Sequence, residues 1–134
     1  MYRVRVYYGD TDSGGVVYYG NYLRFFEAAR TEFLLERGFD LKAWTDRDVV
    51  FVVTTAEVAY LAPAKYGDVL IIDTCCTALS GATFQMACRV RREGDNRPIS
   101  EGSTRLACIG QGGRPVRIPS ELRALLQASL EKGW

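Results

Sequence analysis

One stripe of apolar side chains limits the possible folds of this chain more than any other feature. The stripe repeats at the three- and four-residue spacing of a single helix face, and the residues between its members are largely charged or polar. Its members are Tyr22, Phe25, Phe26, Ala29, Phe33 and Leu34. Asn21 is a candidate N-cap, and Gly38 is a natural stop just beyond the last turn. The spacing therefore predicts one long helix over residues 21–37, whose apolar face another element must cover.

Most of the other periodic segments have the pattern of β-strands. Apolar and polar residues alternate over residues 2–8, and long β-type runs follow over residues 49–60, 69–79, 82–92 and 99–109. Only the C-terminus returns to a helical pattern, with a short amphipathic helix that starts at Pro119 and Ser120. One helix beside a run of strands is typical of an α+β fold with an antiparallel sheet. We expect a curved, five-stranded sheet around the central helix, with its four long strands in an antiparallel meander.

Length, charge and the absence of a long apolar run exclude several classes of protein. The chain has 134 residues without a repeat or a linker, which suits a single domain over residues 1–134. Its net charge is only +1, whereas nucleic-acid binders usually carry a clear basic excess. No segment approaches the ~20 apolar residues of a membrane span, and the N-terminus lacks a signal-peptide core. We therefore expect a cytoplasmic protein with no membrane span and no nucleic-acid partner.

The chain contains no histidine, which removes a large part of the usual catalytic chemistry. A Ser-His-Asp triad, a Cys-His dyad and a histidine general base are all excluded. The four cysteines form no C-x-x-C pair, so we expect buried free thiols and neither a metal site nor a cofactor. They are Cys75, Cys76, Cys88 and Cys108. Acid–base or nucleophilic work must then fall to Asp, Glu, Tyr, Lys, Cys, Ser or Thr.

The segment before the long helix is the best candidate for a reactive site. Asp10 and Asp12 lie two residues apart in a polar turn, and a glycine-rich approach leads from them to the helix N-terminus. Free N–H groups at a helix N-terminus can bind an oxyanion, and a carboxylate opposite them makes a plausible acyl-transfer site. The alternative interpretation is that both carboxylates only bond their own loop backbone. Composition and spacing alone leave both interpretations open.

Two longer motifs resemble those of a known family. The first reads Tyr-x-Asp-Thr-Asp-x-x-Gly-x-Val-Tyr-Tyr-x-Asn-Tyr over residues 8–22 and continues as Phe-x-Glu-Ala-Ala-Arg-Thr-Glu over residues 25–32. The second reads Ala-Tyr-Leu-Ala-Pro-Ala-Lys-Tyr-Gly-Asp over residues 59–68. Together they resemble the 4-hydroxybenzoyl-CoA thioesterase family and the related acyl-CoA thioesterases associated with the Tol–Pal system. The resemblance implies a hot-dog fold, metal-free hydrolysis of an acyl-CoA thioester, and a homodimer or homotetramer.

The resemblance also implies roles for individual residues. The second aspartate of the motif, Asp12, matches the catalytic carboxylate, and Asp10 matches a loop-shaping residue. The backbone N–H of Tyr19 matches the oxyanion donor. Many short-chain members carry histidine at the position of Tyr19, whereas the 4-hydroxybenzoyl-CoA enzyme carries tyrosine, so the acyl group stays open. Asp12 either attacks the thioester carbon or activates a water, and the residue types do not decide between these roles.

Basic residues near such a site are candidates for the phosphates of coenzyme A. The candidate substrate-binding residues are Gly20, Lys65, Arg89 and Arg114. Arg114 is favoured by its similarity to the C-terminal segment of the family. Glu27 is a second, weaker candidate for a catalytic carboxylate, although it lies one helical turn from Arg30 and can pair with it instead.

Three alternatives to an acyl-CoA hydrolase follow from the same fold. One is a module that binds an acyl thioester or a protein partner without turnover, for which a carboxylate at Asp12 would be unnecessary. Another is a dehydratase or hydratase, which typically needs the histidine that this chain lacks. The last is a thioesterase that acts on acyl carrier protein.

Overall fold

A computed structural model describes all 134 residues and confirms the elements that the sequence predicts. Most boundaries fall within one residue of the expected positions. The strands are β1 (Tyr2–Arg5), β2 (Val50–Tyr60), β3 (Val69–Leu79), β4 (Thr83–Arg92) and β5 (Pro98–Ile109), and the helices are α1 (Asn21–Glu36), α2 (Leu41–Thr45) and α3 (Ser120–Lys132). The α+β prediction, with five antiparallel strands and one long helix, is therefore confirmed. No helix has the length and apolar character to cross a bilayer.

The order of strands in the sheet is β1-β3-β4-β5-β2. The predicted four-strand meander is wrong, because only β3, β4 and β5 follow one another as neighbours. β1 occupies the free edge of β3, so β2 pairs with β5 at the opposite edge. Helices α1 and α2 lie between β1 and β2 in the chain.

The apolar stripe of α1 forms the centre of the protein. All six of its members are buried, and Phe26 is only 1% exposed. The N-terminal part of the stripe packs with β-strand residues such as Ile72 and Ile99, whereas Phe33 and Leu34 pack with Leu122 and Leu126 of α3. Burial of each large apolar side chain stabilises the fold by about 1.5–3 kcal/mol. The periodicity therefore predicts both the helix and the face that it buries.

The ends of α1 differ in how well the sequence predicts them. Gly38 adopts φ +84°, in the left-handed region that favours glycine, and confirms the predicted stop. The predicted N-cap at Asn21 is wrong, because Gly20 is the N-cap and provides no side-chain cap. The Asn21 side chain is engaged elsewhere, since its Nδ2 donates to Asp10 Oδ1 at 2.9 Å. The short helix α2 was not expected, and Asp40 caps it by accepting from the Lys42 N–H at 3.0 Å.

Strand β2 is the exposed edge of the sheet. Helix α1 packs mainly against β1, β3 and β4, and only the short helix α2 packs against β2, most of whose residues are exposed. Val52 and Val53 of this strand are 42% and 49% exposed although both are apolar. An exposed edge strand with apolar side chains is a surface that proteins usually cover by pairing.

Candidate active site

Asp10 organises the loop that connects β1 to α1. Asp10 is 8% exposed, and its carboxylate accepts from the Tyr7 N–H at 2.8 Å and from Asn21 Nδ2 at 2.9 Å. Its backbone oxygen accepts from the Tyr18 N–H at 2.9 Å. These bonds end β1 earlier than the alternation predicts, because the chain turns into a short 3-10 segment at Tyr8–Asp10. One buried carboxylate thus joins the entry of the loop, its exit and the start of the helix.

Asp12 lies in the exposed part of the same loop, within a tight turn. The Asp12 N–H donates to Val16 O at 2.9 Å, and the Gly15 N–H donates to Asp12 O at 3.0 Å. Gly15 has φ +81°, which this turn requires. The Asp12 Oδ1 atom accepts from the Gly14 N–H at 2.8 Å, whereas Oδ2 accepts no hydrogen bond and no basic side chain pairs with the carboxylate. The turn therefore orients one oxygen and leaves the other available.

A cavity of about 360 Å³ opens beside Asp12. Its walls come from the loop between β1 and α1, the start of α1, and the end of β2 with the residues that follow it. The lining residues are Asp12, Val16, Val17, Tyr19, Tyr22, Tyr60, Leu61, Ala62 and Pro63. Apart from the carboxylate and the tyrosine hydroxyls, this wall is apolar, which suits an acyl chain or ring.

Two unpaired backbone N–H groups lie at the start of α1, next to this cavity. The N–H groups of Tyr19 and Gly20 donate to no acceptor in the protein. Their peptide planes are nevertheless held, because Tyr18 O accepts from the Asn21 N–H at 2.9 Å and Tyr19 O accepts from Tyr60 Oη at 3.1 Å. Free, oriented N–H groups at a helix N-terminus favour a developing negative charge.

Tyrosine rings form one side of the cavity. The centroids of Tyr22 and Tyr60 are 5.7 Å apart, and those of Tyr19 and Tyr60 are 6.4 Å apart in an edge-to-face arrangement. Burial raises the pKa of Tyr22 to about 12, with a further contribution from Tyr60. Tyr22 is therefore a neutral phenol at physiological pH and not a general base.

The other predicted substrate-binding residues lie in three different places. Lys65 is exposed and pairs with Val16, a residue of the cavity wall. Arg89 lies over the Trp134 ring at 4.1 Å and lines a separate cavity of about 370 Å³. Arg114 is exposed in the turn after β5.

Sheet register shows how far Arg114 lies from the cavity within one chain. Val50 pairs with Ile109 at one end of the β2–β5 ladder, and Tyr60 pairs with Ser100 at the other. The eleven residues of β2 span about 30 Å at ~3.3 Å per residue. Arg114 follows the Ile109 end, whereas Asp12 shares its cavity with Tyr60. The structure therefore places Asp12 and Tyr19 on one cavity, with Gly20 and the backbone of Lys65 next to it. It brings neither Arg89 nor Arg114 to this cavity within one chain.

Glu27 is exposed on α1 and does not line the cavity. It forms no ion pair with Arg30, which is 8% exposed and donates to Thr104 Oγ1 at 3.1 Å. Burial lowers the pKa of the Arg30 guanidinium from its usual value. The anticipated pairing of these two side chains on the helix surface is therefore absent.

Sequence reasoning missed the far wall of the cavity. Tyr60, Leu61, Ala62 and Pro63 line it, and Tyr60 also holds the Tyr19 carbonyl. The available signal is the second motif, residues 59–68, of which the predicted site includes only Lys65. All four cysteines are free and buried, and no group of three or more His, Cys, Asp or Glu side chains is arranged to hold a metal.

Comparison with known proteins gives a consistent set of relatives. The model of the thioesterase-like superfamily matches residues 6–126. The acyl-CoA thioesterase YbgC of Haemophilus influenzae is 38% identical over 125 residues, which cover 92% of this chain and 90% of that protein. The 1,4-dihydroxy-2-naphthoyl-CoA hydrolase of Thermosynechococcus vestitus is 31% identical over 133 residues, which cover 98% of this chain and 90% of that protein. The structure of a gentisyl-coenzyme A thioesterase superposes with a TM-score of 0.85 at 28% identity, over 95% of this chain and 99% of that chain.

Proposed function

Since the chain belongs to the thioesterase-like superfamily, we propose that it hydrolyses acyl-CoA thioesters in the cavity beside Asp12. The observation that carries this proposal is the arrangement of a carboxylate with one free oxygen and two unpaired N–H groups around one apolar cavity. Relatives of nearly the same length that are named as acyl-CoA thioesterases or hydrolases support it. The active unit is a single domain over residues 1–134 and needs no metal or cofactor.

The chemistry follows from the groups that surround the cavity. Asp12 either attacks the thioester carbon to form a mixed anhydride, which water then opens, or it removes a proton from the attacking water. The carbonyl oxygen gains negative charge in both cases, and the Tyr19 N–H stabilises it with support from Gly20. The C–S bond breaks, and coenzyme A leaves as a thiolate that takes up a proton from solvent. Loss of such an N–H donor in other enzymes lowers the rate by about 10²–10³.

The minimal active assembly is a homodimer, or a homotetramer built from such dimers, formed through the exposed edge of β2. Two copies of an edge strand pair antiparallel about a two-fold axis, which extends the sheet and pairs the free backbone N–H and C=O groups of β2. That pairing sets the Val50 end of one strand beside the Tyr60 end of the other. It therefore carries Arg114 of one copy towards the Asp12 cavity of the second copy. A role for Arg114 in binding a coenzyme A phosphate is consistent with this assembly and not with a monomer.

We place the activity in the cytoplasm. All four cysteines are free and buried, as in proteins of a reducing compartment. Acyl-CoA thioesters are the proposed substrates. Thioesters of acyl carrier protein are the alternative, and the rates of hydrolysis of the two kinds of thioester decide between them.

Free-thiol release from a panel of thioesters tests the proposal. The thioesters of the panel differ in two ways. The acyl group is either aromatic or aliphatic, and the carrier is either coenzyme A or acyl carrier protein. We expect thiol release with coenzyme A thioesters and a loss of release in Asp12→Asn. Tight binding of acyl-CoA without thiol release by the wild-type protein would instead identify a non-catalytic binding module.

A further inference from the structure

We propose that a stacked pair of exposed tyrosines, Tyr8 and Tyr66, together with Lys65 and Arg5, binds the adenine nucleotide end of coenzyme A. We call these four residues the nucleotide platform. This inference rests on the proposed acyl-CoA thioesterase function and identifies where the far end of that substrate lies.

The two rings stack face to face at the protein exterior, so only their outer faces can receive another ring. Their centroids are 3.9 Å apart and their planes differ by 8°. Tyr8 is 73% exposed and Tyr66 is 52% exposed, so both residues face solvent. Neither hydroxyl takes part in a hydrogen bond within the protein. A purine base can stack on such a ring. In other proteins, alanine substitution of a stacking ring causes a substantial loss of binding free energy.

Two cations of the platform form no ion pair with a carboxylate, although the charge of Arg5 helps to lower the pKa of Glu93. Lys65 Nζ forms no hydrogen bond or ion pair, and Arg5 Nη1 donates only to Gly67 O at 3.1 Å. Nearby arginines differ, because Arg3 pairs with Glu93 at 2.8 Å and Arg92 pairs with Asp68 at 3.2 Å. The nucleotide end of coenzyme A carries a diphosphate and a 3′-phosphate. Cations without an ion-pair partner, beside stacked aromatic rings, match this combination of charge and aromatic ring.

The platform is continuous with the cavity at Asp12. Lys65 pairs with Val16, whose side chain lines the cavity, and the Val17 N–H donates to Ala64 O at 2.8 Å. Paired residues of this kind have Cα atoms about 5 Å apart. In the loop after β1, Tyr8 O accepts from the Thr11 N–H at 3.0 Å, directly before Asp12. A substrate with its thioester at Asp12 can thus extend along residues 63–66 to the platform.

The tyrosines of the platform contact a part of the substrate that Arg114 does not. Stacking on Tyr8 and Tyr66 recognises the adenine ring, whereas Arg114 of a second copy offers only charge to a phosphate. Substrates that lack the adenine but keep a phosphate therefore separate the two contributions.

Steady-state kinetics of Tyr66→Ala on three thioesters with the same acyl group provides the test. The thioesters are acyl-CoA, acyl-dephospho-CoA, which keeps the adenine, and acyl-4′-phosphopantetheine, which lacks it. We expect KM to rise roughly fivefold to a hundredfold for the first two, with KM for the third changed by less than about twofold. Tyr66→Phe keeps the ring and is expected to retain the wild-type KM. The matched control is Tyr7→Ala, since Tyr7 is 61% exposed and lies next to the platform without an aromatic partner.

Equal effects of Tyr66→Ala on all three thioesters, or an equal effect of Tyr7→Ala, would overturn the platform. Calorimetric titration with adenosine 3′,5′-bisphosphate is independent of catalysis and separates the two proposals. Binding that weakens in Tyr66→Ala and in Lys65→Ala supports the platform even if no thioester is hydrolysed. No binding to the wild-type protein, or equal binding to all variants, contradicts it even if acyl-CoA is hydrolysed.

Discussion

Replacement of Asp12 by asparagine separates its chemical role from its role in the turn. The Asp12 Oδ1 atom accepts from the Gly14 N–H at 2.8 Å, and an asparagine Oδ1 can accept the same bond. The side chain is exposed and pairs with no cation, so the substitution removes no buried interaction. We therefore expect the free energy of unfolding to change by no more than about 0.5 kcal/mol. What the amide lacks is the charge and basicity that attack on a thioester, or activation of water, requires.

The expected loss of activity is large and falls on kcat. Removal of a group that transfers a proton or attacks in the transition state lowers the rate by about 10²–10⁴. That factor corresponds to about 3–5 kcal/mol in the activation free energy. We expect KM for acyl-CoA to change little, because the other eight lining residues of the cavity remain. Thiol release measured at saturating acyl-CoA gives kcat, and thermal unfolding measured on the same preparation checks the fold.

Asp10→Asn is the matched control, because it makes the same chemical change two residues away. Its two oxygens accept from the Tyr7 N–H and from Asn21 Nδ2, and an asparagine must face one of these donors with its own NH₂ group. We expect a destabilisation of about 1–3 kcal/mol, a fall of several degrees in Tm, and a smaller loss of kcat than in Asp12→Asn. A folded Asp12→Asn protein that keeps kcat within about tenfold of wild type would refute the assignment of Asp12. So would a larger loss of kcat in Asp10→Asn at unchanged Tm.

Four further outcomes test the remaining parts of the argument. Arg114→Ala is expected to raise KM for acyl-CoA with a smaller change in kcat and to leave acyl-pantetheine unaffected; equal effects on both substrates would show that Arg114 does not contact the nucleotide end. Treatment with a chelator is expected to leave kcat unchanged, since no group of ligands is arranged to hold a metal; a loss that one specific metal restores would contradict this. Sedimentation at micromolar concentration is expected to give a dimer or larger assembly that Val53→Asp disrupts with loss of activity, whereas a fully active monomer would rule out the β2 interface. The pKa of Tyr22 is raised from 10.0 to about 12, so the folded protein keeps a proton that the unfolded chain releases. The free energy of unfolding should therefore fall as pH rises from about 10 to about 12, and denaturant titrations should show a smaller fall in Tyr22→Phe; an identical fall would exclude Tyr22 as a source.

The local pattern of apolar and polar residues was sufficient to predict the helices and strands, but not which strands pair with one another. The stripe of α1 and the β-type runs predicted the helix and the long strands to within about one residue at most ends. The meander failed at β2, since strand pairing joins residues far apart in the chain and the pattern of β2 suits either edge of a sheet. Asn21 does not act as the N-cap because its side chain donates instead to Asp10, eleven residues earlier. Both errors concern partners that periodicity does not encode.

The amino-acid sequence by itself determined the helix, its buried face, the loop with its two carboxylates, and the absence of histidine chemistry. Each of these depends on residues within a few positions of one another, where spacing decides which side chains share a face. Only the tertiary structure decided that Tyr60 to Pro63 close the cavity at Asp12, that β2 is an exposed edge, and that Arg89 and Arg114 lie away from the site in their own chain. These outcomes depend on which strand occupies which edge, and that choice follows from packing of the whole sheet against α1.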